Sequence, residues 1–196
     1  MPAIVYHLYV AKKYAERHPE FLASPEYYLG HVAPDAALTR PGNNSAIHAV
    51  THLKQEGVPW EQSVLDSLHT YANPSVYLQA CHMHVFIDVV FYGRLDTDGK
   101  NSGTYGQVMD LLDRKLLAMM PDYPDIADLI ANAKPVDAYP GTTAEDLENE
   151  VAACRDLVKE IPESVDDIPD PEGFPLQKLL GLTDPIVEYL EVCFSK

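Results

Sequence analysis

Apolar residues recur along most of the chain at intervals of three and four positions, the spacing of one face of an α-helix. The first such run places Ile4, Leu8, Ala11 and Ala15 on one stripe and predicts an amphipathic helix that ends near His18-Pro19. No alternating run is long enough to predict a strand, and no internal repeat occurs. The chain is therefore predicted to be all-α, a bundle of several helices. The predicted helices cover residues 2–18, 25–33, 46–56, 59–71, 75–92, 108–120, a short stretch after 124, 142–160 and 176–194.

The predicted helix over residues 75–92 is apolar on more than one face. One of its stripes carries Tyr77, Cys81, His84, Asp88 and Phe91, and apolar residues fill much of the remaining surface. This pattern is typical of a helix that is buried on several sides. We therefore expect it to lie at the centre of the bundle.

Several helix boundaries are marked by residues that cap or end the helical hydrogen-bond ladder. Ser24, followed by proline and glutamate, is typical of an N-cap, and the helix that starts there must stop before Pro34. Asp35 would then lie just past the helix end. Thr142 with Glu145 three residues later matches a capping box.

Composition divides the chain into a main part and a C-terminal appendage. Residues 161–175 are rich in proline and acidic side chains, as linkers are. We predict an all-α domain over residues 1–160, a linker over 161–175, and a C-terminal helix over 176–196 that packs on the domain. No pattern in the sequence indicates an oligomeric state.

Charge and hydropathy limit the expected partners and location. The 30 acidic and 14 basic residues give a formal net charge of −16, which repels long nucleic acids and anionic membrane surfaces. The most apolar internal stretch, Val85 to Tyr92, is broken by Asp88 and is far shorter than the ~20 residues of a membrane span, so no stable membrane insertion is expected. The apolar start lacks a leading positive cluster, and the cysteines form no Cys-x-x-Cys pair, so we expect a cytoplasmic protein.

The clearest chemical signal is the pair His84 and Asp88, which are four residues apart and so share one face of the predicted buried helix. An unpaired ionised carboxylate in a protein interior is costly, so Asp88 needs a proton, a cationic side chain or a metal ion beside it. His7 and His52 lie on the apolar stripes, or at the stripe edges, of two other predicted helices, and imidazole with carboxylate is an ordinary ligand set for zinc. The alternative is a hydrogen bond between His84 and Asp88 in a core without an ion.

Four motifs, read in chain order, carry a resemblance to a known family. They are Met1-Pro2-Ala3 with His7, Tyr28-Leu29-Gly30-His31-Val32-Ala33-Pro34-Asp35, Thr51-His52-Leu53 and His82-Met83-His84-Val85-Phe86-Ile87-Asp88. Together they resemble the zinc-dependent phospholipase C family, especially its small bacterial members. That family is all-α and also includes fungal single-strand nucleases. The resemblance covers roughly the first half of the chain and implies a multi-helix bundle of the same type.

The resemblance also implies a metal site and a reaction. His52, His84 and Asp88 would hold one zinc ion, and Asp88 would bridge to a second ion held by His7. Asp35 would be the catalytic base that orients or deprotonates a metal-activated water, which attacks the phosphorus of a small phosphoester. The expected cofactor is one or two zinc ions, with manganese or another divalent ion as the alternative.

Three more histidines are candidates for the site. His48 precedes His52 by one helical turn and could replace it or join it as a ligand. His31 lies inside the Gly-x-x-x-Pro-Asp segment and could line the cleft or face the solvent. His82 shares no helix face with His84, and we expect it to support the ligands or to lie at the surface.

Two other functions stay open. The family has further histidines after its His-x-x-x-Asp motif, whereas no histidine follows His84 here. This difference favours a non-catalytic all-α protein whose degenerate site keeps a structural ion. Clusters of histidine and aspartate on helices also serve HD-type phosphohydrolases, although the adjacent His-Asp dipeptide of that class does not occur in this chain.

Overall fold

The computed structural model describes residues 4–41, 45–94, 105–135, 137–171 and 173–194. Within these ranges every regular element is a helix and none is a strand, so the all-α prediction is confirmed. The helices are α1 Ile4–Ala15, α2 Pro25–Gly30, α3 Ala33–Ala36, α4 Ser45–Thr51, α5 Trp60–His69, α6 Val76–Arg94, α7 Tyr105–Met119, α8 Tyr123–Asn132, α9 Ala144–Leu157 and α10 Leu176–Phe194. Residues 1–3, which open the first motif, lie outside the described ranges.

Helix α6 is the central element of the bundle. It packs against α1, α2, α3, α5 and α10. Its side chains Cys81, Val85, Phe86 and Ile87 are fully buried on different sides of the helix. The expectation of a helix surrounded by other helices is confirmed, and His84 and Asp88 are buried with it.

Helix α2 approaches α6 closely because residue 30 is glycine. A Cβ atom at Gly30 would lie 2.5 Å from the Cβ of Ala80 and 2.6 Å from the carbonyl oxygen of Tyr77. Ser24 starts α2 as predicted, since its hydroxyl accepts a hydrogen bond from the backbone N–H of Tyr27. The close approach fixes the backbone at His31 beside α6.

Two local features differ from the prediction. The helix from Pro25 stops before Pro34 and Asp35 lies past its end, but Asp35 belongs to a further one-turn helix, α3. The capping box of α9 consists of Thr143 and Asp146, not of Thr142 and Glu145. The hydroxyl of Thr142 instead lies 3.3 Å from the carbonyl oxygen of Ala33, to which it donates.

The described residues of the acidic segment 161–175 contact the bundle at two points. Ile168 is buried, and the ammonium of Lys115 on α7 lies 3.2 Å from the carboxylate of Asp170. The segment leads to α10, which packs on α1 and α6. None of the described helices combines the length and apolar character that crossing a bilayer requires.

Candidate metal centre

Four helices bring the five predicted site residues to one place in the bundle. Helix α1 carries His7, α3 carries Asp35, His52 directly follows α4, and α6 carries both His84 and Asp88. The side chains of His7, His52 and Asp88 are completely inaccessible, whereas 13% of the Asp35 side chain is accessible. The cluster therefore meets solvent on the side of Asp35.

The nitrogen and oxygen atoms of these side chains converge. His7 Nε2 lies 3.5 Å from Asp88 Oδ1, and His52 Nε2 lies 3.1 Å from Asp88 Oδ2 and 3.2 Å from Asp35 Oδ1. His84 Nε2 lies 3.8 Å from Asp35 Oδ1, and the His84 ring stacks on the His7 ring with centroids 3.7 Å apart. Each carboxylate thus lies between two imidazoles.

Overlapping groups of these residues have the spacing of metal ligands. In the described part of the chain, three groups have one ligand atom from each member within 4.8 Å of the others: His7, His84 and Asp88; Asp35, His52 and His84; and His48, His52 and Asp88. His48 thus lies beside the cluster, its ring centroid 4.0 Å from that of His52. The set His52, His84 and Asp88 is not itself one of the three groups, although any two of its members occur together in one of them. Groups that share members offer positions for one ion or for two neighbouring ions.

The hydrogen-bonding state of the cluster fits a cation. Among the described residues, the Nε2 atoms of His7, His52 and His84, Oδ1 of Asp35 and both carboxylate oxygens of Asp88 are buried and make no hydrogen bond. Buried polar atoms nearly always have a partner, and these six have only the ion-pair contacts between the imidazoles and the two carboxylates. A divalent ion would coordinate several of them at once, and imidazole nitrogen and carboxylate oxygen are ligands that zinc accepts.

Burial and the neighbouring charges set the protonation of the cluster. Burial, together with the nearby His7, lowers the pKa of His84 to about 3, so its ring is neutral. Burial also acts to lower the pKa of His52, but Asp35 and Asp88 outweigh it and raise that pKa to about 9. Burial acts to raise the pKa of Asp88, but His52 and His7 hold it well below its usual value. Asp88 is therefore ionised, and an ion that binds here would displace the proton of His52.

The ring of His84 is held in one orientation by the backbone. Its Nδ1 lies 2.7 Å from the carbonyl oxygen of His31. A carbonyl can only accept, so Nδ1 carries the proton and Nε2 presents its lone pair to the cluster. A hydrogen bond on the remote ring nitrogen is typical of histidines that bind metals. Thr51 Oγ1 lies 3.0 Å from Nδ1 of His52 and helps to orient that ring.

The structure corrects the expected positions of two histidines. His31 does not face solvent: it is fully buried, and burial followed by the charges of His84 and His7 lowers its pKa well below the usual value. His82 is also buried, so a surface position is wrong. Its Nδ1 donates to the carbonyl oxygen of Leu78 at 2.8 Å, and its Nε2 lies 3.1 Å from Ser67 Oγ. Both ring nitrogens of His82 therefore form hydrogen bonds with residues outside the cluster.

Sequence reasoning missed one buried carboxyl group near the cluster. Glu150 on α9 is only 2% accessible, and α9 packs against α3, the helix of Asp35. Burial, and after it the negative charge of Asp35, raises the pKa of Glu150 to about 8. Helix α9 contains several other acidic residues, so no sequence signal distinguishes this one from its exposed neighbours.

Comparisons of the chain with family models, with curated proteins and with solved structures find no match. The resemblance to the zinc-dependent phospholipase C family therefore rests on the ordered motifs alone and stays a prediction. The geometry of the cluster supports a metal site independently of that resemblance, because it follows from the positions of the side chains.

Proposed function

We propose that this protein is a metal-dependent hydrolase of small phosphoesters and that zinc is its metal. One observation carries the proposal: three histidines and two aspartates from four helices converge, and their facing atoms are buried without hydrogen bonds among the described residues. The ion-pair contacts of His7 and His52 with the two aspartates compensate part of the cost of burying these atoms, and a bound cation would compensate the rest.

The residues divide into ligands and a base. His7, His52, His84 and Asp88 would hold one or two ions. When bound, zinc would acidify a water molecule and stabilise negative charge on the phosphoryl oxygens. Asp35 is the accessible acid of the cluster, and its Oδ1 atom faces the ligands. Burial acts to raise the pKa of Asp35, but His84 and His52 lower it below the usual value, so the carboxylate is ionised and can accept a proton.

The substrate is expected to be small. A long polyanion would meet the repulsion of a net charge of −16. A single phosphoester group needs to pass only the opening beside Asp35, and the ions would reverse the sign of the local field there.

A second candidate function is a structural ion without catalysis. The observation that favours it is the small opening of the site, since His7, His52 and Asp88 have no accessible side-chain surface. A substrate that cannot reach the ion is not hydrolysed. Binding of metal without turnover would distinguish this candidate from the hydrolase.

The test measures zinc content and hydrolysis together. After incubation with zinc and removal of the excess, elemental analysis should find about one or two ions per chain. His84→Ala should lose most of this zinc and its hydrolysis of p-nitrophenyl phosphate and bis(p-nitrophenyl) phosphate. His69→Ala is the matched control, because His69 is an exposed histidine at the end of α5, outside the cluster. Equal and near-zero zinc in the unmodified protein and in His84→Ala would contradict the proposal.

A further inference from the structure

Directly after the ligand His52, the backbone turns into an unusual conformation that is held by α5. Leu53 has a φ of 54°, a left-handed value that is costly for a residue with a branched side chain. The indole Nε1 of Trp60 donates to the carbonyl oxygen of His52 at 2.6 Å, and the hydroxyl of Ser63 donates to the carbonyl oxygen of Leu53. Strained backbone that is fixed in this way is found mainly at functional sites.

The turn determines where the next side chain lies. Lys54 follows Leu53, and its ammonium lies 4.0 Å from the centre of the Trp60 ring, a cation–π contact. The Trp60 ring in turn lies 6.4 Å from the ring of His52. One short segment therefore carries both a ligand of the candidate metal centre and a positioned cation.

The ammonium of Lys54 thus lies beside the His52 end of the cluster, with the Trp60 ring next to both residues. Lys54 is also exposed, so an anion from solvent can reach it.

Lys54 also differs from other lysines of the chain in its partners. Four of those lysines are paired with carboxylates, namely Lys12, Lys13, Lys115 and Lys159. No carboxylate in the described ranges pairs with Lys54, and its ammonium donates no hydrogen bond there. In a protein with 30 acidic residues, a cation that is held over an aromatic ring beside a cluster of ligands is available to an incoming anion.

We propose that Lys54 binds an anionic oxygen of the phosphoryl group and that Trp60 and the turn at Leu53 hold it in place for this contact. The inference rests on the proposed function and adds to it a residue that recognises the substrate. The contact selects a tetrahedral oxyanion, whether it is free phosphate or the phosphoryl group of an ester. It would increase affinity for the substrate more than it would increase turnover, because Lys54 is not one of the groups that activate water.

Binding of inorganic phosphate to the zinc-loaded protein tests this role without relying on turnover. We expect Lys54→Gln to keep its zinc and to bind phosphate at least about tenfold more weakly by calorimetry, the loss typical of one hydrogen bond between charged groups. Lys54→Arg should retain most of the affinity, because it keeps the charge and the contact with the ring. Lys159→Gln is the matched control, since it removes one charge from an exposed lysine that is paired with Asp156.

The outcomes separate this inference from the function on which it rests. Zinc bound by both proteins with equal phosphate affinity in Lys54→Gln would overturn the role of Lys54 and leave the metal centre intact. An unmodified protein that binds no zinc would overturn both. For a phosphoester that is turned over, Lys54→Gln should raise KM by a similar factor while kcat changes little, and the opposite pattern would also contradict a binding role.

Discussion

Asp35 differs from the other four residues of the cluster because it reaches the solvent. Its Oδ1 atom lies 3.2 Å from His52 Nε2 and 3.8 Å from His84 Nε2, so the same atom is placed to coordinate an ion or to take a proton from water. The geometry is compatible with both roles. They differ in what the loss of the charge would do to the bound metal.

We expect Asp35→Asn to keep its zinc and to lose about 10²–10⁴-fold in hydrolysis, because the amide has nearly the same shape but is not a base. Zinc content and turnover of p-nitrophenyl phosphate should be measured on the same preparation. Asp66→Asn provides the control, since Asp66 is an exposed aspartate on α5. A parallel loss of zinc in Asp35→Asn would make Asp35 a ligand and refute its role as a base.

Residue types and spacing predicted a shared location for His7, His52, His84 and Asp88, and the family resemblance added Asp35. These side chains do converge. The reason is that an ionised carboxylate on a buried helix needs a compensating group beside it. Histidines on the apolar stripes of other helices can supply that group. The position of Glu150 could not be predicted in the same way. Its burial depends on the packing of α9 against α3, which no local pattern encodes.

The packing of α2 on α6 connects the motif that contains Gly30 and Asp35 to the central helix. Gly30 permits this contact, since a Cβ there would overlap the backbone oxygen of Tyr77 and the Cβ of Ala80. Neither atom belongs to the flexible end of a side chain. A methyl group at this position must therefore push the two helices apart.

We expect Gly30→Ala to lower the free energy of unfolding by about 1–3 kcal/mol, measured by urea denaturation, because overpacking forces a backbone shift. Gly181→Ala is the matched control. Gly181 is exposed inside α10, and a Cβ there would have nothing within 4 Å. That change should stabilise the protein by about 0.5–1 kcal/mol, since alanine favours the helix. A Gly30→Ala variant as stable as the parent would show that α2 and α6 are not tightly packed.

Most helices could be predicted from apolar spacing and caps, but the end of α4 could not. The apolar pattern continues to Leu53 and predicts a helix up to Gly57, whereas α4 ends at Thr51. The left-handed turn at Leu53 is held by hydrogen bonds from Trp60 and a serine of α5. Tertiary contacts thus override a local preference at the point where a candidate ligand must point inward.

The candidate ligands come from the first 88 residues, and helices α7 to α10 pack around the helices that carry them. These candidate ligands lie on α1, α4 and α6 or at their ends, so one ion would connect segments that are far apart in the chain. Such an ion binds the folded state and not the unfolded one, and it therefore stabilises the fold by mass action.

We expect removal of zinc with EDTA to lower Tm. At free zinc 100 times its Kd the ion contributes about 2.7 kcal/mol, which corresponds to ~5–10 °C for a chain of this size. Differential scanning calorimetry with and without the chelator measures the shift. His84→Ala should show little response to EDTA, and an equal response in both proteins would mean that the chelator acts elsewhere.

The hydrogen bond between His84 and residue 31 has a consequence for how this site can evolve. Its acceptor is a main-chain carbonyl, which every amino acid at position 31 supplies. No single codon change at that position can delete the acceptor, whereas a change at Gly30 can move it. The tautomer of His84 therefore depends on how closely α2 and α6 pack. It does not depend on which amino acid occupies position 31.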